Sequence, residues 1–352
     1  MRTDASLSAT QAEILSGADR LDCRGAWTLA GIGGLHRRLD ELPWPASRAV
    51  SVHCAGITAL DTAGAWLLAE LARRIESRGG EVRFLGLSAE HEILLRLVRS
   101  RAAKPPPPAP PAPGVLARLG MEVVAHLAEA RGMLAFLGEA TVTLLKEMVM
   151  LLTPDAGRIR VLGQDLARLT EAEAQSLRRR WGVMFQGGAL FSGLTVLENV
   201  ELPLREHTKL TAAEIRELAR IKIALADLPQ DSAHKYPREL SGGLRKRAAL
   251  ARAISLDPEL LFLDEPSAGL DPVAASALDE LILGLKESLK LTIIVVTHDL
   301  DLLWRVTDRV AILGEGRVVG IGSMAQLSRS AHPQVREYFH GPRGRIVRPA
   351  GG

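Results

Sequence analysis

Two stretches of this chain, 259–263 and 291–296, are apolar almost without interruption. Side chains on a strand alternate between faces, so a run of this kind can be buried only when both faces are covered. That condition selects a parallel sheet with helices packed on each side. Residues 158–162 and 181–185 read as further strands of the same α/β pattern. Residues 309–320, with Gly314-Glu315-Gly316 in the middle, read as a terminal hairpin.

Length and charge narrow the setting. The 352 residues are enough for two domains. Lys+Arg 44 against Asp+Glu 41 leaves a net charge of +3, with Arg far in excess of Lys. A nucleic-acid partner usually announces itself by a clustered basic stripe, which this balance argues against. The triplets 178–180 and 245–247 are read as solvated helix faces. Hydrophobic residues at 47% allow a large core, and two cysteines, Cys23 and Cys54, make no disulfide scaffold and are expected buried in strands. No apolar run approaches the length of a membrane span, and the first fifteen residues lack a signal core. A soluble or membrane-peripheral protein of a reducing compartment is expected.

The run KPPPPAPPAPG at 104–114 divides the chain and is expected to be a semi-rigid linker. Before it, in 1–103, strands at 20–26, 48–55 and 81–87 alternate with helices at 28–42, 62–77 and 89–99, a small α/β domain. After it, 115–137 has the spacing of an amphipathic helix, which suits either a membrane surface or the protein's own core.

The chemistry gathers at strand ends. LLFLDEP at 260–266 delivers two adjacent carboxylates, Asp264 and Glu265, to the carboxyl end of a parallel strand, where ligands of such sheets bind. In a phosphate site the first can hold Mg²⁺ through water and the second can polarise a water molecule; alone, the pair also fits two solvated acids. Ser241, Gly242 and Gly243 open a helical run at 244–253, suited to an anion or simply to an N-cap with turn glycines. His298 ends the 291–296 run, Gln186 follows the strand at 181–185, and SAGLDP at 267–272 brings Asp271.

Together these motifs resemble the ATP-binding subunit of ABC transporters over 143–340, in family order and spacing. Details such as LSGGLRKRAALARAI resemble the ATPase of the Mla-type phospholipid transporters. The resemblance implies an ATP and Mg²⁺ site in which Asp264 binds Mg²⁺ through water, Glu265 is the general base and His298 contacts the γ-phosphate. Gln186 would be the Q-loop residue, and Ser241, Gly242, Gly243 and Asp271 would face ATP held by a second ATPase subunit. It also implies a permease partner and a place on the cytoplasmic face of the bacterial inner membrane. A working site needs the phosphate loop G-x-x-x-x-G-K-S/T. No Gly-Lys pair occurs in the chain; Thr141 stands where the lysine belongs and Val142 where the Mg²⁺-binding hydroxyl belongs. Lys146, one turn on, is expected to be a poor substitute.

Residues 115–142 resemble the interfacial helix that starts the permease of the same transporters, and 11–100 resemble a STAS domain. In the STAS motif at 57–64, Thr62 stands where such domains often carry a phosphorylatable or contact residue, and an Asp61/Thr62 helix cap fits as well. The expected architecture is thus a STAS-like α/β domain, linker and amphipathic helix, an N-terminally truncated P-loop NTPase domain and a flexible tail at 341–352. A junction near 142/143 is what an in-frame deletion between neighbouring genes would leave. Three functions remain open: motor subunit, non-catalytic STAS/ABC binding module, or non-functional fusion product. Loss of the first ATPase strands is expected to leave the strands at 260–263 and 291–296 without partners.

Overall fold

The computed structural model describes residues 11–17, 19–42, 44, 49–102, 139–152, 157–314 and 317–340. The linker at 104–114, the amphipathic helix expected at 115–137 and the tail at 341–352 lie outside them.

The N-terminal half is a four-stranded sheet in the order β1 (Glu13–Ser16), β2 (Arg20–Trp27), β3 (Ala49–Leu60), β4 (Glu81–Leu85). The first pair is antiparallel and the others parallel. β1 had no counterpart in the sequence reading. β3 runs on to Leu60, past the strand expected at 48–55, and its last residues pair with the end of β2. The helix expected at 28–42 is only α1 (Leu35–Glu41), because residues up to Gly34 turn and Gly34 itself is left-handed at φ 81°.

Helix α2 (Thr62–Ser77) covers this sheet with Trp66, Leu67, Leu68, Leu71 and Ile75. Its approach is so close that a Cβ on Gly64 would stand 1.9 Å from the Trp27 carbonyl oxygen. Leu21, Trp27, Val52, Cys23 and Cys54 fill the space beneath, the cysteines free and buried as expected. Helix α3 (Ala89–Ala102) packs beside α2.

The C-terminal half opens with α4 (Glu139–Met148), which runs unbroken across the 142/143 junction. A two-residue ladder, β5 (Arg160–Val161) with β6 (Gln164–Asp165), replaces the longer strand expected at 158–162. The principal sheet is parallel, in the order β7 (Trp181–Met184), β8 (Leu260–Asp264), β9 (Thr292–Val296). β8 is flanked on both sides and every residue of it is buried, so it is not left unpaired. β9 has one neighbour among the described strands and is partly exposed.

One face of this sheet packs Trp181 and Phe262 against Leu145 and Val149 of the α4 region. The other receives α8 (Gly242–Ala253), and a Cβ on Gly182 would stand 2.0 Å from the Ala253 carbonyl oxygen. In chain order come α5 (Glu171–Arg178) ahead of β7, then α6 (Val196–His207), α7 (Ala212–Leu225) and α8 between β7 and β8. The first three of these start on Thr/Glu capping boxes, each satisfying backbone groups that a helix start leaves open. Helices α9 (Pro272–Leu289) and α10 (Leu300–Val306) flank β9 in sequence. The expected hairpin is β10 (Val310–Gly314) with β11 (Arg317–Gly322), which packs with α11 (Met324–Leu327) and α12 (Pro333–His340) around Val335 and Phe339.

The two halves meet. α3 lies against α7 and α9, α2 against α7, and one apolar cluster runs from Trp27 and Leu95 through to Leu218 and Leu250.

Candidate functional site

The buried strand β8 carries Asp264 to its end, where the carboxylate is almost wholly enclosed and Oδ1 has no hydrogen-bond partner among the described residues. Burial raises its pKa and is the largest influence. The Gln186 backbone N–H opposes it, Glu265 adds to it, and the ammonium groups of Lys246 and Lys146 oppose it. Lys146, expected to be a poor substitute for a phosphate-loop lysine, is therefore near enough to act on Asp264.

Glu265 follows at φ 44°, a conformation costly for a residue with a Cβ. Its backbone N–H bonds the Val296 carbonyl at 2.8 Å, joining the ends of β8 and β9. Its carboxylate accepts from the Thr297 hydroxyl at 3.0 Å and the His298 N–H at 3.1 Å, and lies 2.7 Å from His298 Nδ1. The fold thus brings Gln186, Asp264, Glu265 and His298 together from three strand ends.

Ser241, Gly242, Gly243 and Asp271 are helix-end residues. Ser241 caps α8, accepting from the Leu244 N–H at 3.3 Å, and Asp271 caps α9 through the N–H groups of Val273 and Ala274. A Cβ on Gly242 or Gly243 would meet only Leu270 at 3.5 Å or Ala274 at 3.6 Å, so packing inside the chain does not demand glycine there. Among the described residues no hydrogen bond joins these four to Asp264, Glu265 or His298.

The sequence reading missed the side chains that hold the site. Lys246 Nζ donates to the Gln186 carbonyl at 2.5 Å and to the Glu265 carbonyl at 2.9 Å, tying the two loops together. Burial lowers its pKa, while Asp264 and Glu265 act in the opposite direction. Arg252 donates to the carbonyls of Ala189 and Gly188, and buried Asn199 holds both backbone groups of Phe191. The basic triplet 245–247 is thus only in part the solvated face expected, with Arg245 exposed and Lys246 buried. Arg245 bonds the Pro237 and Leu240 carbonyls, Lys246 is buried, and Arg247 pairs with Asp227. A helix position facing two loops of distant sequence leaves no periodic signal, and only the density of cations on α8 pointed to it.

Asp264, with its orphaned buried oxygen, fits a metal-bound water. The rest of a nucleotide site does not fit. Residues 139–142, which stand where the end of a phosphate loop belongs, are helical in α4. Neither the lysine nor the metal-binding hydroxyl is in the sequence there. No group of three or more His, Cys, Asp or Glu side chains among the described residues is arranged to hold a metal.

Fold and site together define the ATP-binding domain of an ABC transporter preceded by a STAS domain. The model of the ABC transporter family matches residues 133–268, beginning ahead of the 142/143 junction, and that of the STAS family described as Mlab matches 10–100. The chain is 40% identical over 204 residues to the intermembrane phospholipid transport system ATP-binding protein MlaF of Haemophilus influenzae, covering 58% of this chain and 77% of that one. The probable ribonucleotide transport ATP-binding protein mkl of Mycobacterium tuberculosis is 40% identical over 199 residues, 56% of this chain and 55% of that one. The chain thus spans about half the length of the mycobacterial relatives. In structure it resembles cbiO1 from Clostridium perfringens, part of the ABC transporter complex cbiONQ, with TM-score 0.51 and 29% identity over 60% of this chain and 84% of that one. The chain belongs to the ABC transporter ATP-binding family.

Proposed function

We propose that this chain is the motor-type subunit of a phospholipid ABC transporter in which ATP turnover has been lost. The observation that carries this reading is the absent phosphate-loop motif: Thr141 and Val142 stand where the lysine and the metal-binding hydroxyl belong, while Glu265 is held by Thr297 and His298. The MlaF relatives support phospholipid as the cargo class. On this reading the chain sits on the cytoplasmic face of the bacterial inner membrane, beside a Mla-type permease and a second ATPase subunit. Ser241, Gly242, Gly243 and Asp271 face that second subunit, and the region before α4 derives from a permease start. No helix among the described residues is long and apolar enough to cross a membrane.

Charged hydrogen bonds to phosphate are worth roughly 1.5–3 kcal/mol each, so losing several weakens nucleotide affinity by orders of magnitude. Calorimetric titration of the purified chain with ATP–Mg²⁺ checks this. The expected result is binding far weaker than micromolar; a low-micromolar Kd would overturn the loss of function.

A second reading, a non-catalytic binding module, is favoured by the contact between the halves. Thr62, wholly buried, donates to Asp257 of the ATPase half at 2.8 Å. A docked, ordered STAS domain retains a use when hydrolysis is gone.

A further inference from the structure

The segment around α4 buries one set of apolar side chains and leaves another in water. Leu145 and Val149 are buried in one cluster with Trp181 and Phe262 of the principal sheet. Leu144 within the helix, and Leu151 and Leu152 just past its end, are 36%, 59% and 46% exposed. These leucines do not belong to a frayed end. The Leu151 N–H bonds the Lys146 carbonyl at 2.7 Å, the Met150 N–H bonds that of Glu147 at 3.1 Å, and Met150 is left-handed at φ 60°. Such a turn satisfies the last carbonyls of a helix, and it is built here on a methionine where glycine would be unstrained. A costly backbone conformation thus fixes Leu151 and Leu152 where they stand. Single exposed leucines are ordinary, but three within nine residues form a patch of the kind that marks an interaction surface.

The chain itself supplies a complement. Residues 103–138 lie outside the described structure and end one residue before α4 begins. Within them Leu116, Leu119, Val123 and Leu127 recur at the spacing of one helix face. Gly132 and Gly138 bound a connection of the length that joins antiparallel helices. A helix over 115–131 would be about 25 Å long, enough to return along α4 from Leu144 to Leu152. The competing cover is a lipid surface. Arg118 and Arg131 are matched by Glu122 and Glu129, so the polar face of the segment has no excess of positive charge to draw anionic lipid.

We propose that residues 115–131 dock as a helix on the exposed leucines of the α4 segment, Leu144, Leu151 and Leu152, so that the stretch ahead of the 142/143 junction closes the ATPase half instead of lying on a membrane. Burying leucine on leucine supplies the driving force, and the short connection keeps the two surfaces at high effective concentration. The junction then carries a packed helical hairpin on the face of the sheet that α4 already covers. The inference goes beyond the transport reading and does not depend on cargo or on nucleotide binding.

The test is hydrogen exchange of the full chain, read by mass spectrometry on peptides from 115–131. Docked, their amides should exchange about 100-fold or more slowly than those of an unstructured chain. Leu144→Asp with Leu151→Asp puts charge only at exposed positions. In that variant 115–131 should exchange within about tenfold of the unstructured rate, while peptides from β8 stay protected. Leu119→Lys with Leu127→Lys leaves the ATPase half untouched and should release the segment to the same extent, which separates undocking from unfolding of that half. Fast exchange of 115–131 in the wild type would overturn the proposal, as would protection that survives both variants. Protection that falls on dilution would assign the leucines to a second copy of the chain, and flotation of the wild type with phosphatidylglycerol vesicles would assign them to lipid; either result also overturns it.

Discussion

The two sheets of this protein treat their edges differently. In the N-terminal half the twelve-residue β3 has a partner on each side, and the edge strands are short and charged: β1 carries Glu13, and β4 carries Glu81 and Arg83. In the ATPase half the fully buried β8 is also flanked on both sides, but β9, Thr-Ile-Ile-Val-Val, stands at an edge of the described sheet with no charge along it. Natural edges are usually protected by charge, proline or brevity, because open N–H and C=O groups invite further strands. β9 has the composition of an interior strand in the position of an edge strand. Helices can cover the faces of an incomplete sheet, as α4 and α8 do here, but they cannot complete a hydrogen-bonded ladder.

The sharpest test of this contrast uses the two glycines at which a helix or its end meets sheet backbone. Gly64→Ala would drive a Cβ to 1.9 Å from the Trp27 carbonyl oxygen, and Gly182→Ala to 2.0 Å from that of Ala253. Neither backbone can yield that far, so each variant should lose the native packing of its own half. Calorimetry of the full chain should show Gly182→Ala abolishing the ATPase-half transition and leaving the N-terminal one. A single transition displaced equally by both variants would mean that the halves form one cooperative unit, and the contrast between the sheets would then have no thermodynamic consequence.

A smaller effect is expected at Asp279, buried in α9 with Oδ1 unpartnered and its pKa raised to about 6, chiefly by burial, against the pull of Arg305. A raised carboxylate pKa means that ionisation opposes folding. The contribution is fully favourable below about pH 4 and is lost as pH rises through about 6. Asp279→Asn should therefore match wild type at pH 4 and exceed it at pH 7 by up to roughly 3 kcal/mol in urea denaturation. A gap that stays constant with pH would show that the carboxylate is not a titrating cost to this half.

The smallest effect concerns local chemistry rather than the sheet. Thr211→Ala breaks the capping box that starts α7, where Thr211 and Glu214 exchange bonds at 2.6 Å and 3.4 Å. The expected loss is about 1 kcal/mol, read as a lower denaturation midpoint of the ATPase half. No change would mean that packing of α7 against the N-terminal half already fixes the helix start.

Much of the site was legible in the sequence. LLFLDEP announced a buried strand delivering Asp264 and Glu265, and β7, β8 and β9 formed close to where apolar runs predicted them. Those signals are local, because strand burial and helix capping depend on near neighbours. The missing Gly-Lys pair was equally plain. Only the tertiary structure decided that Lys246 bridges the Gln186 and Glu265 carbonyls, that Thr62 meets Asp257 across 195 positions of sequence, and that β8 keeps both neighbours while β9 stands at the edge. Each of these is a contact between segments far apart in the chain. A side chain's type states what it can bond, but the packing of helices against sheet determines which partner comes within reach and whether water is excluded from the bond.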